Sequence, residues 1–229
     1  MFLTIFVKID VSMKKLVSVL LAVFAVSAVF AQDFRFGPVV GGNIAKLAGD
    51  SEEGARTAVL GGAFIGLMGE YQFNDRFGAR AEVFYSQQGD RVIWSVPVFG
   101  RFESSSWTLN SRSNNVIVPV MATFDIVEEK FRVMAGPTFG FCFGGKDFHR
   151  DMSGKGPSDY NEKWTKNDYN VFDIGVVAGL EFVLGEHFGI FARYNWGFKD
   201  VFKSGLLDEP RSYGKNRVLQ IGLEYKFGD

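Results

Sequence analysis

RVLQIGLEYKF, residues Arg217 to Phe227, decides the fold. Leu219, Ile221, Leu223, Tyr225 and Phe227 are apolar, and Val218, Gln220, Gly222, Glu224 and Lys226 alternate with them. Side chains on a strand point alternately to opposite faces, so this stretch is a strand with one apolar face and one wet face. The apolar face ends in two aromatics, Tyr225 and Phe227, close to the end of the chain.

The same alternation recurs upstream. Phe34 to Ala45 sets Phe34, Phe36, Pro38, Val40 and Ile44 against Arg35, Gly37, Gly41 and Asn43. Further strands are expected over Val59 to Phe73, Phe77 to Gln88, Val116 to Ile126, Phe131 to Gly144, Val171 to Leu184 and Phe188 to Lys199. Asn74 to Arg76, Glu128 to Lys130 and Gly185 to His187 read as tight turns. Lys46 to Arg56, Gly89 to Asn115, Gly145 to Tyr169 and Asp200 to Asn216 read as long loops. Short and long connections therefore alternate along eight strands, as they do in transmembrane barrels with short periplasmic turns and long outer loops. Each strand reaches the 9–11 residues or so that a tilted strand needs to span. The expected fold is all-β: an eight-stranded antiparallel up-and-down transmembrane β-barrel over residues 32–229.

The front of the chain reads as an export signal. Lys14 and Lys15 precede an apolar run from Leu16 to Phe30, and Val29 and Ala31 fit a cleavage site between Ala31 and Gln32. Residues 1–31 are thus expected to be a signal peptide. The run is shorter than the ~20 residues of a spanning helix. Met13 is a better start than Met1, so residues 1–12 read as a misassigned translation start. No Cys follows the cut, which argues against a lipoprotein.

Composition fits one domain. The mature part is about 200 residues, ordinary for a single barrel. The 25 basic and 26 acidic residues balance, which argues against a nucleic-acid partner. Cys142 is the single cysteine, so no intrachain disulfide and no cysteine-based metal site is expected.

Which face points outward decides the solvent. The apolar face is nearly unbroken on all eight strands, while the other is rich in Gly and charge. An eight-stranded barrel has room inside only for side chains. Buried charges must be paired. Arg35, Arg80, Arg132, Arg193 and Lys226 balance Glu70, Glu82, Asp173, Glu181 and Glu224, so a closed, salt-bridged lumen is expected. A narrow pore, and a soluble periplasmic barrel with its apolar face around a lipid, are the alternatives. Pro119 and Pro137 remove ladder donors and are expected near rims or at bulges.

Gly41-Gly42-Asn43, Tyr85-Ser86-Gln87-Gln88-Gly89, Val118-Pro119-Val120, Ala135-Gly136-Pro137, Asp173-Ile174-Gly175 with Gly179, Arg193-Tyr194 and Tyr225-Lys226-Phe227 carry a family resemblance across the whole mature chain. It resembles the small outer-membrane β-barrels of Bacteroidetes, the PorT-like barrels, and more distantly the OmpA-type eight-stranded barrels. The chain departs from the usual ending by closing on Gly228-Asp229. The resemblance implies an outer-membrane location and a barrel fold, and one branch of the family serves type IX secretion. It implies no shared activity.

Candidate chemistry is sparse. His187 falls in a turn. His149 lies among Asp147, Asp151 and Ser153, which could support base chemistry at an outer rim. Yet Gly145 to Tyr169 carries five acidic and five basic residues, the mixture of a solvated loop. No catalytic, cofactor or metal residue is assigned, and no enzymatic role is expected. Trp94, Phe99, Phe102, Trp107, Tyr160 and Trp164 fall in the long loops and form a candidate binding surface. Alternatively, Trp94 and Phe99 extend the neighbouring strands above the membrane and pack on each other. The expected protein is a monomer in outer-membrane lipid, with its loops meeting an extracellular or envelope protein.

Overall fold

The computed structural model describes residues 34–49, 55–97, 104–128, 130–151, 160–203 and 214–228. The expected signal peptide, its cleavage at Ala31 and Gln32, and Phe99 and Phe102 lie outside these residues. Among the described residues nine strands are present: β1 (Phe34–Ala48), β2 (Ala55–Gln72), β3 (Phe77–Pro97), β4 (Ser104–Val127), β5 (Phe131–Asp151), β6 (Tyr160–Lys163), β7 (Phe172–Leu184), β8 (Phe188–Asp200) and β9 (Lys215–Tyr225). Eight of them close a ring. β1 pairs with β2 and β9, β4 with β3 and β5, and β7 with β5 and β8, all antiparallel. β6 stands outside the ring and pairs with the outer end of β5. Phe227 adds a bridge to Phe36, which carries the terminal strand past Tyr225.

Alternation places the side chains as the sequence pattern requires. On β9, Gln220, Gly222, Glu224 and Lys226 are buried inside, while Ile221 and Leu223 are 53% and 54% exposed outside. Leu67, Ile65, Phe182 and Phe188 continue the apolar exterior around the ring. The apolar face is therefore the outer wall and does not line a cavity, which overturns the soluble lipid-binding alternative. Lipid offers no hydrogen-bond partners, and ring closure leaves no unpaired strand edge facing it.

Inside, small residues make room for large ones. A Cβ on Gly222 would come within 2.6 Å of the Phe191 ring, and one on Gly41 within 2.6 Å of the Phe64 ring. These glycines are the floor on which the lumenal phenylalanines lie.

Two expectations are corrected. The segments 89–115 and 145–169 are only partly loops. β3 runs on to Pro97 and β4 begins at Ser104, with Trp94 opposite Trp107. β5 continues to Asp151. The 24-residue β4 far exceeds a membrane span, so β3, β4 and β5 form a wall rising above the lipid. Above the lipid the outward face need not be apolar, and the sequence contrast that marks a strand fades there.

The prolines also sit away from the rims. Pro119 lies where the β3–β4 ladder breaks off between Ala81–Val120 and Phe84–Ile117. Pro137 lies in the matching gap of the β4–β5 ladder, between Pro119–Thr138 and Ala122–Ala135. Each missing N–H thus falls beside an interrupted ladder within the strand.

Arginine in place of the outward Leu67 should destabilise the lipid-embedded barrel by about 2–4 kcal/mol. Urea titration of protein refolded in phospholipid vesicles measures the loss. An Asp75→Asn change in the exposed β2–β3 turn should stay within about 0.5 kcal/mol of the parent.

Candidate functional site

The lumen is built in layers. At the periplasmic end, Arg132 of β5 bonds to Asp125 of β4 and Glu70 of β2. Beside it, Lys226 donates to Glu181 of β7 at 2.6 Å and lies 3.2 Å from Glu224 of β9 and 3.5 Å from Glu70. Arg80 of β3 is the hub. Its Nε donates to Glu82 at 2.7 Å, its Nη1 to Glu181 at 3.2 Å, and its Nη2 to Glu224 at 2.5 Å. Glu70 is 3.7 Å away. Four cations (Arg80, Arg132, Arg193, Lys226) thus face five carboxylates (Glu70, Glu82, Asp125, Glu181, Glu224), so the network has no spare cation to hold an anionic solute.

Arg193 of β8 joins this layer to the next. Its Nη1 donates to Glu82 at 2.7 Å and its Nε to Gln220 at 2.8 Å. Nη2 has no hydrogen-bond partner among the described residues. The guanidinium instead lies 4.7 Å from the Phe191 ring centre, 4.9 Å from Phe84 and 5.7 Å from Phe64. Aromatic ring faces attract a desolvated cation, so this cage offsets part of the cost of burial. Gln220 donates onward to Asn43 at 2.8 Å, and Asn43 to Ser86 at 2.8 Å.

An aromatic plug closes the outer end. Trp164 follows β6 and packs with its ring centre 4.9 Å from Phe202 and 5.9 Å from Tyr169, in a cluster that includes Leu47 and Cys142. Its indole N–H donates to Asp147 at 2.7 Å. A Cβ on Gly145 would stand 2.2 Å from the indole, so only glycine admits Trp164 there. Beneath the plug, a void of about 30 Å³ is bordered by Gln88, Asn115, Thr138 and Asp173. That is roughly the space of one water, not a channel.

The expected interior charges separate into two groups. Glu70, Arg80, Glu82, Arg132, Glu181, Arg193, Glu224 and Lys226 meet in the lumen. Arg35 and Asp173 do not join them. Arg35 is only half-buried near the start of β1. Asp173 lies at the outer end of β7, where it accepts the Lys199 backbone N–H at 3.0 Å. Asp125 also joins the network, and its parity on the fourth strand places it inside. The cage of Phe64, Phe84 and Phe191 is not marked in the sequence, because parity places each ring inside without showing that the three meet across the ring.

The candidate outer surface is also corrected. Trp164 is buried in the plug, because the lumen mouth offers an apolar seat and a carboxylate for its N–H. Trp94 and Trp107 lie on strands rather than in a loop, and Tyr160 belongs to β6, opposite His149. Asp151 lies opposite Trp107 on the β4–β5 ladder, and Ser153 is outside the described residues. Among the described residues, no cluster of three metal-ligating side chains occurs.

The scan against protein families matches an "Outer membrane protein beta-barrel domain" over residues 30–203. The chain belongs to this outer-membrane β-barrel family, and its location is the outer membrane. No curated protein matches it. Among solved structures it is similar to Ail, the attachment invasion locus protein of Yersinia pestis, in complex with the heparin analogue sucrose octasulfate: 17% identity, 85% of this chain and 99% of that one, TM-score 0.44. It is similar also to Neisserial surface protein A, with 15% identity, 85% and 97% coverage and TM-score 0.41. OprG from Pseudomonas aeruginosa shows 14% identity, 87% and 97% coverage and TM-score 0.37.

Two outcomes follow from this geometry. Arg80→Met leaves Glu82, Glu181 and Glu224 short of their shared partner, and breaking a buried ion pair on one side costs about 3–5 kcal/mol. The variant should lose the heat-dependent gel shift of a folded barrel at a lower temperature than the parent, and Arg80→Lys should recover part of the difference. The second concerns Asp90, which is 1% exposed on β3, in the part of the wall that rises above the lipid. Burial, and then the Asp147 charge, push its carboxyl up from 3.8 to about 7. The folded protein therefore holds a proton there that the unfolded chain releases near pH 4. This contribution is full below about pH 4 and is lost as pH rises to about 7. Asp90→Asn should raise the thermal midpoint over the parent at pH 8 and leave it nearly unchanged at pH 4.

Proposed function

We propose that the protein is a closed outer-membrane barrel with a structural and surface-interaction role, and that it is a PorT-like member of the Bacteroidetes barrels serving as an assembly or secretion accessory. The filled lumen carries this reading. A layer of paired charges, an aromatic cage and a plug occupy the axis from one end to the other. Such an interior braces the wall and leaves no path for solute. The reading has no enzymatic component.

The interaction role is assigned to the tall β3–β4–β5 wall. Strands this long are more than spanning requires, and their outer ends stand clear of lipid. Trp94 and Trp107 are register partners on the β3–β4 ladder, in the upper part of that wall. The partner is an extracellular or envelope protein, and the barrel itself acts as a monomer, since closure of the eight-stranded ring leaves no strand edge free within the membrane to pair with a second copy.

Purified protein in planar bilayers should show no steady conductance. A stable open level would overturn the closed-lumen reading and favour the narrow pore. Removal of residues 94–107 should abolish cross-linking to a neighbouring envelope protein in intact cells while the heat-dependent gel shift persists. An unchanged cross-linking pattern would sink the role assigned to this wall.

A further inference from the structure

Arg112 of β4, Lys146 of β5 and Lys163 of β6 occupy one cross-strand row, because Arg112 pairs with Lys146 and Lys146 with Lys163. All three are exposed. Arg91 of β3 stands one step higher, opposite Asn110, and is exposed as well. Neighbouring strands lie about 4.8 Å apart, so the row sets three cations within about 10 Å of one another. Repulsion at that spacing makes such a row unfavourable without a counter-charge. None is supplied by the described residues on this face. Asp90 and Asp147 lie on the opposite, lumenal face of β3 and β5 and are buried. Glu162 alternates with Lys163 and so points to the other side of β6. Arg91 donates its Nε to Asn110 at 2.7 Å, a neutral partner.

The height of the row identifies what approaches it. Directly below on the same outward face come Gln87, Asn114 and Gly144, and below them Tyr85 and Phe143. Phe143 is 58% exposed and its ring centre lies 6.0 Å from that of Tyr85, whose hydroxyl donates to Asn114 at 2.6 Å. Exposed aromatics with a polar handle mark the membrane–water interface of a barrel. The cations therefore begin two outward-facing levels above Tyr85, at headgroup level. Their side chains point sideways into the lipid layer, away from the barrel axis. A soluble ligand would meet them only by entering that layer.

We propose that Arg112, Lys146 and Lys163, with Arg91 above them, form a lateral binding surface for the phosphate groups of an outer-leaflet lipid, of the phosphorylated glycolipid class. The acyl chains of that lipid would lie on the apolar wall beneath, along Val116, Phe141 and Phe143. Arginine and lysine at one height would hold phosphate by charge-assisted hydrogen bonds, strengthened at the edge of a low-dielectric layer. This reading needs only the outer-membrane location and is independent of the role assigned to the β3–β4–β5 wall.

The test uses the full mature chain in zwitterionic nanodiscs doped with either lipopolysaccharide or the same glycolipid after phosphatase treatment. Retained glycolipid is quantified by mass spectrometry after affinity capture of the barrel in competing zwitterionic lipid. The parent should retain the phosphorylated form and not the dephosphorylated one. The triple variant Arg112→Gln, Lys146→Gln, Lys163→Gln should bind it roughly a hundredfold more weakly, at about tenfold per one or two basic groups removed. Its heat-dependent gel shift should match the parent's. Should the triple variant fail to fold, Lys146→Gln alone and Lys146→Arg replace it, with weaker retention expected for the first and parental retention for the second. Equal retention of both glycolipids, or undiminished retention by the glutamine variants, would overturn the proposal. So would selective loss of binding to inorganic phosphate in detergent with lipid retention unchanged, because the row would then be a site for a soluble anion.

Discussion

The buried guanidinium of Arg80 is the constraint on which the rest of the barrel depends. It lies within ion-pair distance of carboxylates from β2, β3, β7 and β9, strands drawn from opposite parts of the ring. A charge this deep cannot keep its hydration shell, so it must meet its counter-charges directly. It can do so only if the ring is closed and every strand stands in one register. A slip of one residue would turn Glu181 or Glu224 outward into lipid. The network is thus weak evidence for stability as such, since burying ions is costly. Its effect is to penalise every other register far more heavily.

The remaining lumen is fitted to that layer. Arg193 shares Glu82 with Arg80 and reaches away from it, so its outer side needs something other than a carboxylate. Phe64, Phe84 and Phe191 supply ring faces, and Gly41 and Gly222 supply the space for the rings. Further out, Gln220, Asn43 and Ser86 continue as a neutral hydrogen-bonded chain. The lumen passes from ionic to aromatic to neutral polar to apolar at the plug. Each layer satisfies groups that the previous one leaves open.

The outer end follows different rules because hydrocarbon no longer covers it. The wall of β3, β4 and β5 carries serines and asparagines on the inside and cations on the outside. The lower wall carries aliphatic and aromatic residues facing lipid. The change from Phe143 to Lys146, three residues further along β5, marks where hydrocarbon gives way to headgroups. Below that line a charge facing outward is costly, and above it an apolar face gains nothing.

Alternation alone determined the eight-strand ring, the face that meets lipid and the inward position of most of the lumenal charges. It could do so because each strand sees two solvents of opposite character, and a period of two records that difference residue by residue. Alternation failed where the difference vanishes. Residues 108–115 carry mostly polar side chains toward both faces, so in sequence this half of β4 has the pattern of a loop, and only its pairing with β3 and β5 makes it a strand. Parity places a side chain inside but does not say which partner it meets across the ring. That Arg35 and Asp173 stand apart from the network, and that Asp125 belongs to it, depends on height along the barrel axis. Likewise, Trp164 is apolar enough for a surface or a core, and only the seat over Gly145 and the Asp147 carboxylate make it a plug. Such facts arise from contacts between strands far apart in the chain, which tertiary closure alone brings within reach.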